Sequence, residues 1–427
     1  MTTYAQRVQP PVFAVEKISI PEVRSVMLKN GIPVFLIDAG TEEILRMEFI
    51  FNAGQVKEEK PLVSSTCNMM LSEGSEKYTS EELNRLLDFY GVFLNQSAER
   101  DNAGIVLFLL NKHFEKVLEF SKEILLNPVF PSKELDALMK KRYQWFVVNR
   151  EKTQNISIDK FFESVFGKSH PYGHQPEDKD FESITPGILS DFHRKYYSPA
   201  NMAIMISGRI NEDILDMLDT FYGDLPIIKE NIHSPSAVPV SENLKKVHIR
   251  KEGAVQTSIR IGSMTINKKH PDYTGLKVLD TMLGGYFGSR LMKNIREDKG
   301  YTYGISSSLT SLSLSGYKVI STDVGQKYLQ KTINEIYAEI RKLQEIPASL
   351  DEMNVVKNYM SGELLRMFDG PFALAETFKS VWELGLDFGY YNLLTEKIRT
   401  IQPDEIRWLA QTYYKTDDLF EITAGSE

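Results

Sequence analysis

The chain of 427 residues is poor in cysteine and has no excess of positive charge. Its single cysteine, Cys67, excludes both a disulfide framework and a cysteine-rich zinc ribbon. Because 50 basic residues stand against 58 acidic residues, the net charge is −8, which disfavours a nucleic-acid partner. No apolar run approaches the roughly 20 residues needed to cross a bilayer, so we expect no membrane-spanning segment.

Several common signals of location and chemistry are also missing. Residues 1–7 contain no apolar core of a signal peptide, so we expect a cytoplasmic protein, with a periplasmic one left open if a leader has been removed. The chain contains no GxSxG elbow, no GxxxxGK[ST] phosphate loop and no GxGxxG dinucleotide turn. With 42% hydrophobic and 25% charged residues, it has the composition of a soluble globular protein of two or three domains.

A weak internal repeat is the most informative feature of the sequence. Residues 184–208 and 401–425 each contain a proline suited to the first turn of a helix, a tyrosine pair and a short apolar run that ends in glycine. The matching positions, all 217 residues apart, are Ile184 and Ile401, Pro186 and Pro403, Tyr196 and Tyr413, Tyr197 and Tyr414, and Gly208 and Gly425. This fixed offset favours a duplication over a chance similarity between two helix–strand units.

The pattern of apolar residues predicts similar elements in the two halves. Those of the first half are a hairpin turn at 29–31, a half-buried strand over 45–51, a helix over 61–73, a buried strand over 103–110 and a helix over 114–125. Those of the second half are strands over 255–262 and 316–323 and helices over 274–283 and 329–343.

The expected fold class is therefore α+β, with two homologous halves in tandem that each contain an antiparallel-rich sheet with helices packed on it. We place the first half at residues 1–223 and the second half at residues 246–427. The segment 224–245 between them is rich in proline, serine and asparagine and lacks periodicity, so it is predicted to be a linker.

Two histidines that lie close together do not by themselves predict a metal site. His170 and His174 belong to the segment SHPYGH, where proline and glycine indicate a loop rather than a helix that presents two rings on one face. A zinc site needs about three protein ligands, and only Glu177 and Asp178 lie near. We therefore predict a polar surface loop here.

The glycine-rich stretch 284–288 is predicted to be a turn, because no strand leads directly into it.

The segment 287–304 is the most distinctive in the chain. Arg290, Arg296, Tyr301 and Tyr303 lie close to a glycine turn in it. Arginine offers five donors in a fixed arrangement, and a tyrosine hydroxyl can donate to an oxyanion. Such a cluster can bind a peptide backbone or a developing oxyanion, whereas a solvated, charged helix end is the alternative interpretation.

This segment resembles the C-terminal-half signature of the pitrilysin/insulinase peptidases, a family that includes the mitochondrial processing peptidases. The signature carries an arginine and a tyrosine seven residues apart, which is the spacing of Arg296 and Tyr303. Other similar stretches are Phe51–Gly54 followed by Glu58, Leu87–Asn95, His170–Gly173 and Tyr197–Met202. The resemblance covers nearly the whole chain and implies the duplicated α+β metallohydrolase fold of that family.

The zinc motif of the family is replaced in this chain. The family's zinc helix reads H-x-x-E-H, and here Ser64 and Asn68 take the places of the two histidines, while Cys67 takes the place of the general base. Positions i and i+4 share one face of a helix, but neutral serine and asparagine are poor zinc ligands. The third ligand is expected near residues 140–148, which contain no acid. The resemblance therefore implies no metal and no catalytic residue in this chain.

The resemblance further implies the non-catalytic, substrate-binding subunit of a two-chain zinc metallopeptidase. In such pairs one chain carries the zinc and its partner retains the arginine and the tyrosine. Arg296 would bind a substrate carbonyl and Tyr303 would donate to the oxyanion, in trans to zinc on a homologous partner. The strand edge at Leu94, Asn95 and Gln96 would bind an extended peptide or unfolded polypeptide.

Two other interpretations stay open. A substituted hydrolase would use Ser64, Ser65 or Cys67 as a nucleophile, which requires a base within reach, and no histidine is close in sequence. A structural member of the same family, with no part in proteolysis, would also lack the zinc residues. In such a scaffold, which would associate with itself, Arg296 and Tyr303 would be relics or packing residues.

Overall fold

The computed structural model of this protein describes residue 20, residues 22–228 and residues 244–426. Within these residues the chain forms two halves, each built from one β-sheet with helices packed on it. This architecture confirms the predicted α+β class and the tandem arrangement of two similar halves. Every helix in the described part of the chain is too short or too polar to cross a lipid bilayer.

The first half begins with a hairpin and continues with helices that cover its sheet. Its strands are β1 (Arg24–Met27), β2 (Pro33–Asp38), β3 (Ile44–Phe51), β4 (Phe93–Ala98), β5 (Ala103–Leu110) and β6 (Met202–Gly208). Its helices are α1 (Val63–Met70), α2 (Ser80–Tyr90), α3 (Phe114–Leu126), α4 (Ser132–Asn149), α5 (Thr153–Phe166), α6 (Asp178–Glu182), α7 (Pro186–Tyr196) and α8 (Ile214–Tyr222).

The second half repeats this plan with fewer strands. Its strands are β7 (Lys246–Arg250), β8 (Gln256–Thr265), β9 (Thr302–Ser311), β10 (Gly316–Gly325) and β11 (Phe420–Gly425). Its helices are α9 (Tyr273–Asp280), α10 (Leu329–Glu345), α11 (Leu350–Met367), α12 (Pro371–Trp382), α13 (Gly389–Thr400) and α14 (Pro403–Tyr413). Two π-helical segments, Thr281–Gly285 and Met292–Asp298, follow α9, so the predicted helix over 274–283 loses its α-helical form after Asp280.

The two sheets share one topology. The strand order is β1-β2-β6-β3-β5-β4 in the first sheet and β7-β11-β8-β10-β9 in the second, so the second sheet equals the first without β1. In each sheet one pair is parallel, namely β2 with β6 and β7 with β11, and the other pairs are antiparallel. The strands β6 and β11 are the two that end the internal repeat. The two copies of the repeat therefore end in strands that occupy equivalent places in the two sheets.

One helix from each half packs on the sheet of the other half. Helix α12 packs against β2 and β6, and helix α5 packs against β8 and β11. On the first sheet Phe35 contacts Phe378 of α12, with ring centroids 5.2 Å apart. On the second sheet Phe161 of α5 is buried in one cluster with Phe420 of β11. Burial of these apolar side chains between each sheet and the helix from the other half joins the halves.

The exchange of helices changes the environment of β3, which the sequence predicts to be buried on one face only. Every residue of β3 after Ile44 is buried, including Arg46 and Glu48. Glu48 accepts hydrogen bonds from Lys379 of α12 and from Arg46, both at 2.7 Å. The prediction of a half-buried strand was therefore wrong, because α12 from the other half covers the polar face and pairs its charges.

A second set of polar contacts joins the two halves near the end of β4. The carboxylate of Asp101 accepts hydrogen bonds from the backbone nitrogen of Ser313 at 2.8 Å and from its hydroxyl at 2.6 Å. The hydroxyl of Tyr172 also donates to Asp101. A charged acceptor with several donors is a strong link, because its hydrogen bonds are charge-assisted.

The boundaries between the halves stay a prediction. Helix α8 ends at Tyr222 and strand β7 begins at Lys246, on either side of the predicted linker 224–245. Most of that linker, residues 229–243, lies outside the described part of the chain.

Candidate functional site

The stretch that resembles a zinc helix forms α1, and a carboxyl group anchors its start. The chain enters α1 through Leu62, whose φ of 74° lies in the left-handed region. The side chain of Glu58 accepts a hydrogen bond from the backbone nitrogen of Ser64 at 3.0 Å. Burial raises the pKa of Glu58 to about 8. Glu58 thus satisfies a helix N–H that would otherwise lack a partner, since the first turn of a helix leaves such donors free.

The serine and the cysteine of the altered motif are buried and have structural contacts. The hydroxyl of Ser64 donates to the carbonyl of Ala53 at 2.7 Å. Cys67 is fully buried, and burial raises the pKa of its thiol. An activated cysteine requires a lowered pKa, and an activated serine requires a base as its hydrogen-bond partner. Neither residue therefore has the surroundings of a nucleophile.

Asn68, at the place of the second histidine, is committed to two other groups. Its side-chain nitrogen donates to the carbonyl of Gly104 at 3.0 Å and lies 3.1 Å from the hydroxyl of Tyr197. The second half contains an equivalent contact, because Tyr414 donates to Asp280 at the end of α9 at 3.2 Å. Tyr197 and Tyr414 are a matched pair of the internal repeat. In each half, therefore, a buried tyrosine is hydrogen-bonded to a polar residue of the corresponding helix, which is α1 in the first half and α9 in the second.

An arginine lies where the third zinc ligand is expected. Arg142 of α4 donates to the hydroxyls of Thr66 at 2.5 Å and Ser65 at 2.8 Å, and so links α4 to α1. Burial raises the pKa of the nearby Glu58, and the positive charge of Arg142 lowers it by a smaller amount. A guanidinium beside α1 opposes a divalent cation instead of binding it. Among the described residues no three His, Cys, Asp or Glu side chains are grouped so that they could hold a metal ion. The residues present do not fit zinc.

The structure brings Arg296 and Tyr303 together on the surface of the second half. The Nε of Arg296 donates to the backbone carbonyl of Tyr303 at 2.9 Å. The side chain of Tyr303 is 93% exposed, so its hydroxyl faces solvent. Both residues line an open cleft of about 500 Å³, together with Tyr301 and Tyr328, whose rings stack at 4.8 Å. The pair is accessible to a molecule outside this chain.

The other arginine of the segment has a structural role, contrary to its inclusion in a binding cluster. Arg290 makes a two-pronged ion pair with Glu352 of α11, at 2.7 and 2.8 Å. Asn294 donates to Glu339 of α10 at 2.6 Å, and Lys299 pairs with Glu335 of the same helix at 2.6 Å. These contacts fix the π-helical segment that carries Arg296 to two long helices. Of the two arginines in this segment, Arg290 is therefore an anchor, whereas Arg296 is half-buried at the cleft.

The predicted peptide edge lies on an edge strand. Strand β4, which contains Leu94, Asn95 and Gln96, pairs with β5 on one side and is last in its sheet. Asn95 is exposed, whereas Leu94 and Gln96 are half-buried. The side-chain amide of Gln96 donates to the backbone carbonyl of Asn68 at 2.6 Å and ties the edge to α1. The geometry permits addition of a strand, and the binding of a peptide there stays a prediction.

The segment SHPYGH is only in part the surface loop that we predicted, because Ser169 and His174 are exposed but the residues between them turn into the contact between the halves. His170 is 3% exposed and Tyr172 is fully buried. The ring of Tyr172 packs against Phe166 of α5, with centroids 5.5 Å apart, and its hydroxyl reaches Asp101. Proline and glycine correctly predicted a turn, but the polar residues of the segment led us to expect that the whole of it would be exposed. The aromatic ring beside the histidine was the signal that sequence reasoning missed.

Two family models match this chain. The model described as Insulinase (Peptidase family M16) matches residues 34–171, and the model described as Peptidase M16 inactive domain matches residues 183–360. The first match lies within the first half, whereas the second begins just before α7 of the first half and extends into α11 of the second half; together they cover most of the chain. The altered motif on α1 lies in the first match, and the exposed pair lies in the second.

Similar proteins and structures extend this result. An uncharacterized zinc protease, YmxG of Bacillus subtilis (strain 168), is 20% identical over 347 residues, which are 80% of this chain and 84% of that protein. A crystal structure of a peptidase M16 inactive domain from Pseudomonas fluorescens has a TM-score of 0.83 at 20% identity and covers 95% of this chain and 98% of its own. A protease structure from Helicobacter pylori has a TM-score of 0.85 at 17% identity, with coverage of 95% and 100%. These structures share the fold of this chain.

Proposed function

Because this chain belongs to the M16 peptidase family but lacks its H-x-x-E-H motif, we propose that it is the non-catalytic, substrate-binding subunit of a two-chain zinc metallopeptidase. Its partner is a homologous chain that carries the zinc. The substrate is a peptide or an unfolded polypeptide. The chain alone is expected to show no peptidase activity, and the assembled pair is expected to cleave peptides.

One observation carries this proposal. The positions that would hold zinc on α1 are closed by hydrogen bonds, whereas Arg296 and Tyr303 lie together in an open cleft. An exposed tyrosine with a guanidinium beside it is of little use to the folding of the chain, since neither group is buried. A role toward a second molecule gives the exposed pair a function, and a scaffold does not require it.

The geometry supports a defined division of work between the two side chains. The Nε of Arg296 is occupied by the carbonyl of Tyr303, so its two Nη groups are left to donate to a substrate carbonyl. The hydroxyl of Tyr303 can donate to the oxygen that becomes negative when water adds to the peptide bond. Donors of this kind, held in place before the reaction, stabilise the transition state more than the bound peptide.

The test is an assay of the assembled enzyme. We would mix the purified chain with the zinc-bearing homologue from the same organism and measure cleavage of a quenched fluorescent peptide. Tyr303→Phe is expected to lower kcat by about 10²- to 10³-fold, as the loss of an oxyanion donor does in other enzymes. Arg296→Ala is expected to lower kcat/KM, while Lys293→Ala, an exposed cation on the same segment, serves as the matched control.

The outcomes separate this function from a structural role. Each chain should be nearly inactive alone, and each variant should still bind the partner in size-exclusion chromatography. If the Arg296→Ala, Tyr303→Phe double variant retains the full activity of the pair, the proposed role of these side chains is wrong. A chain that forms a stable dimer with itself and ignores the zinc-bearing homologue would favour the structural member of the family.

A further inference from the structure

An aromatic side chain without an obvious structural purpose lies beneath Arg296. The side chain of Phe287 is 58% exposed, so burial does not account for the place of its ring. The guanidinium carbon of Arg296 lies 4.7 Å from the centroid of this ring. A planar cation over the face of an aromatic ring is attracted by the negative charge of that face. The two side chains therefore form a unit at the rim of the open cleft.

The position of Phe287 is set by anchors on both sides of it in the chain. Tyr286 stacks on Tyr359 of α11, with centroids 4.7 Å apart and an interplanar angle of 29°. On the other side, Arg290 makes its two-pronged ion pair with Glu352 of the same helix. Both ends of the short segment that carries Phe287 are therefore tied to α11. It holds the ring of Phe287 outward, beside the cleft, although burial would be favoured for the side chain alone.

Two contacts together define the orientation of the guanidinium of Arg296. The hydrogen bond from Nε to the carbonyl of Tyr303 fixes one edge of the plane, and the ring of Phe287 supports one face. The Nη1 and Nη2 groups have no hydrogen-bond partner among the described residues. With one contact removed, a side chain as long as arginine would sample several rotamers, which would lower the share of molecules ready to bind.

We propose that Phe287 is a positioning residue for Arg296, an inference that rests on the proposed function of Arg296 and Tyr303. The ring holds the guanidinium with its two free nitrogens directed toward the cleft, so that a substrate carbonyl meets donors already in place. The effect depends on an aromatic face and not on apolar volume. Phe287 acts through Arg296 and does not itself take part in the reaction.

The experiment compares ring and volume at position 287 in the assembled two-chain enzyme. Phe287→Leu keeps an apolar side chain without an aromatic face, and Phe287→Tyr keeps the ring. We expect Phe287→Leu to lower kcat/KM by about two- to fivefold, the value of an exposed cation–ring contact, and Phe287→Tyr to retain wild-type activity. Thermal unfolding of the free chain should be the same for all three proteins, because the side chain at 287 is largely exposed.

The decisive measurement repeats Phe287→Leu in the Arg296→Ala background. If the ring acts only through the guanidinium, the second substitution causes no further loss of activity. The inference is overturned if Phe287→Leu is fully active, or if it lowers activity equally in both backgrounds. Failure of the proposed function looks different, because Arg296→Ala would then itself leave the activity of the pair unchanged.

Discussion

Replacement of Asn68 by alanine tests whether the former ligand position has become a structural contact. Asn68 is 1% exposed, and its amide donates to Gly104 and Tyr197. The alanine variant leaves the buried hydroxyl of Tyr197 and the carbonyl of Gly104 without this donor. An unsatisfied buried group costs about 1–3 kcal/mol, so we expect the free energy of unfolding to fall by about 2–4 kcal/mol.

A double-mutant cycle with Tyr197→Phe makes this expectation sharper. In the wild-type background, Tyr197→Phe breaks one buried hydrogen bond and should cost about 1 kcal/mol. In the Asn68→Ala background, the same change removes a hydroxyl that already lacks its partner, so it should be nearly neutral. The two substitutions should therefore couple by about 1 kcal/mol, within the range known for residues in contact.

Urea unfolding, monitored by circular dichroism, measures all four proteins of the cycle. An unchanged m-value would show that the denatured states are comparable. Asn211→Ala, on an exposed turn before α8, is the matched control and should lie within about 0.5 kcal/mol of wild type. Strict additivity of Asn68→Ala and Tyr197→Phe would refute the reasoning. The contact would then contribute nothing of its own to the stability of the fold.

Two further predictions concern charge. Burial raises the pKa of Glu58 to about 8, above its value of 4.5 in a model compound, so the folded state holds a proton that the unfolded state releases. The contribution of Glu58 to stability is therefore present at low pH and is lost as the pH rises toward 8. Urea unfolding from pH 5.5 to 8.5 should show that the free energy of unfolding falls less steeply for Glu58→Gln than for the wild type. Parallel curves for the two proteins would contradict this. Asp101→Ala removes the acceptor of Ser313 and Tyr172 between the halves and should cost about 3 kcal/mol by the same method. A loss below about 0.5 kcal/mol would show that this contact does not join the halves.

The local elements followed from the order of residues because they depend on near neighbours. The apolar run of β5 was predicted at 103–110, as observed, and the turn at 29–31 connects two antiparallel strands. The repeat of two tyrosines also identified equivalent positions correctly, since Tyr197 and Tyr414 occupy the same place in the two halves. Periodicity and turn chemistry are local properties, so a sequence can display them.

Partners distant in the chain were the main source of wrong expectations. Glu48 and Lys379 are 331 residues apart, yet they form a partly buried ion pair at 2.7 Å that neutralises the buried carboxylate of β3. Tyr172 belongs to a segment expected on the surface, and it is buried in one cluster with Val319 and Phe420 of the second sheet. Arg290 and Glu352 are 62 residues apart, so the ion pair that commits Arg290 to an anchor could not be seen in the segment itself.

The order of residues alone determined that this chain lacks the ligands for zinc and keeps an arginine and a tyrosine seven positions apart, since the identity of a side chain sets what it can bind. The tertiary structure decided what became of those positions. Hydrogen bonds of Arg142 and Asn68 occupy the polar groups of α1, whereas Arg296 and Tyr303 lie together in an open cleft. The physical reason is that exposure and hydrogen-bond partners depend on how the two halves and their exchanged helices pack, which no local pattern encodes.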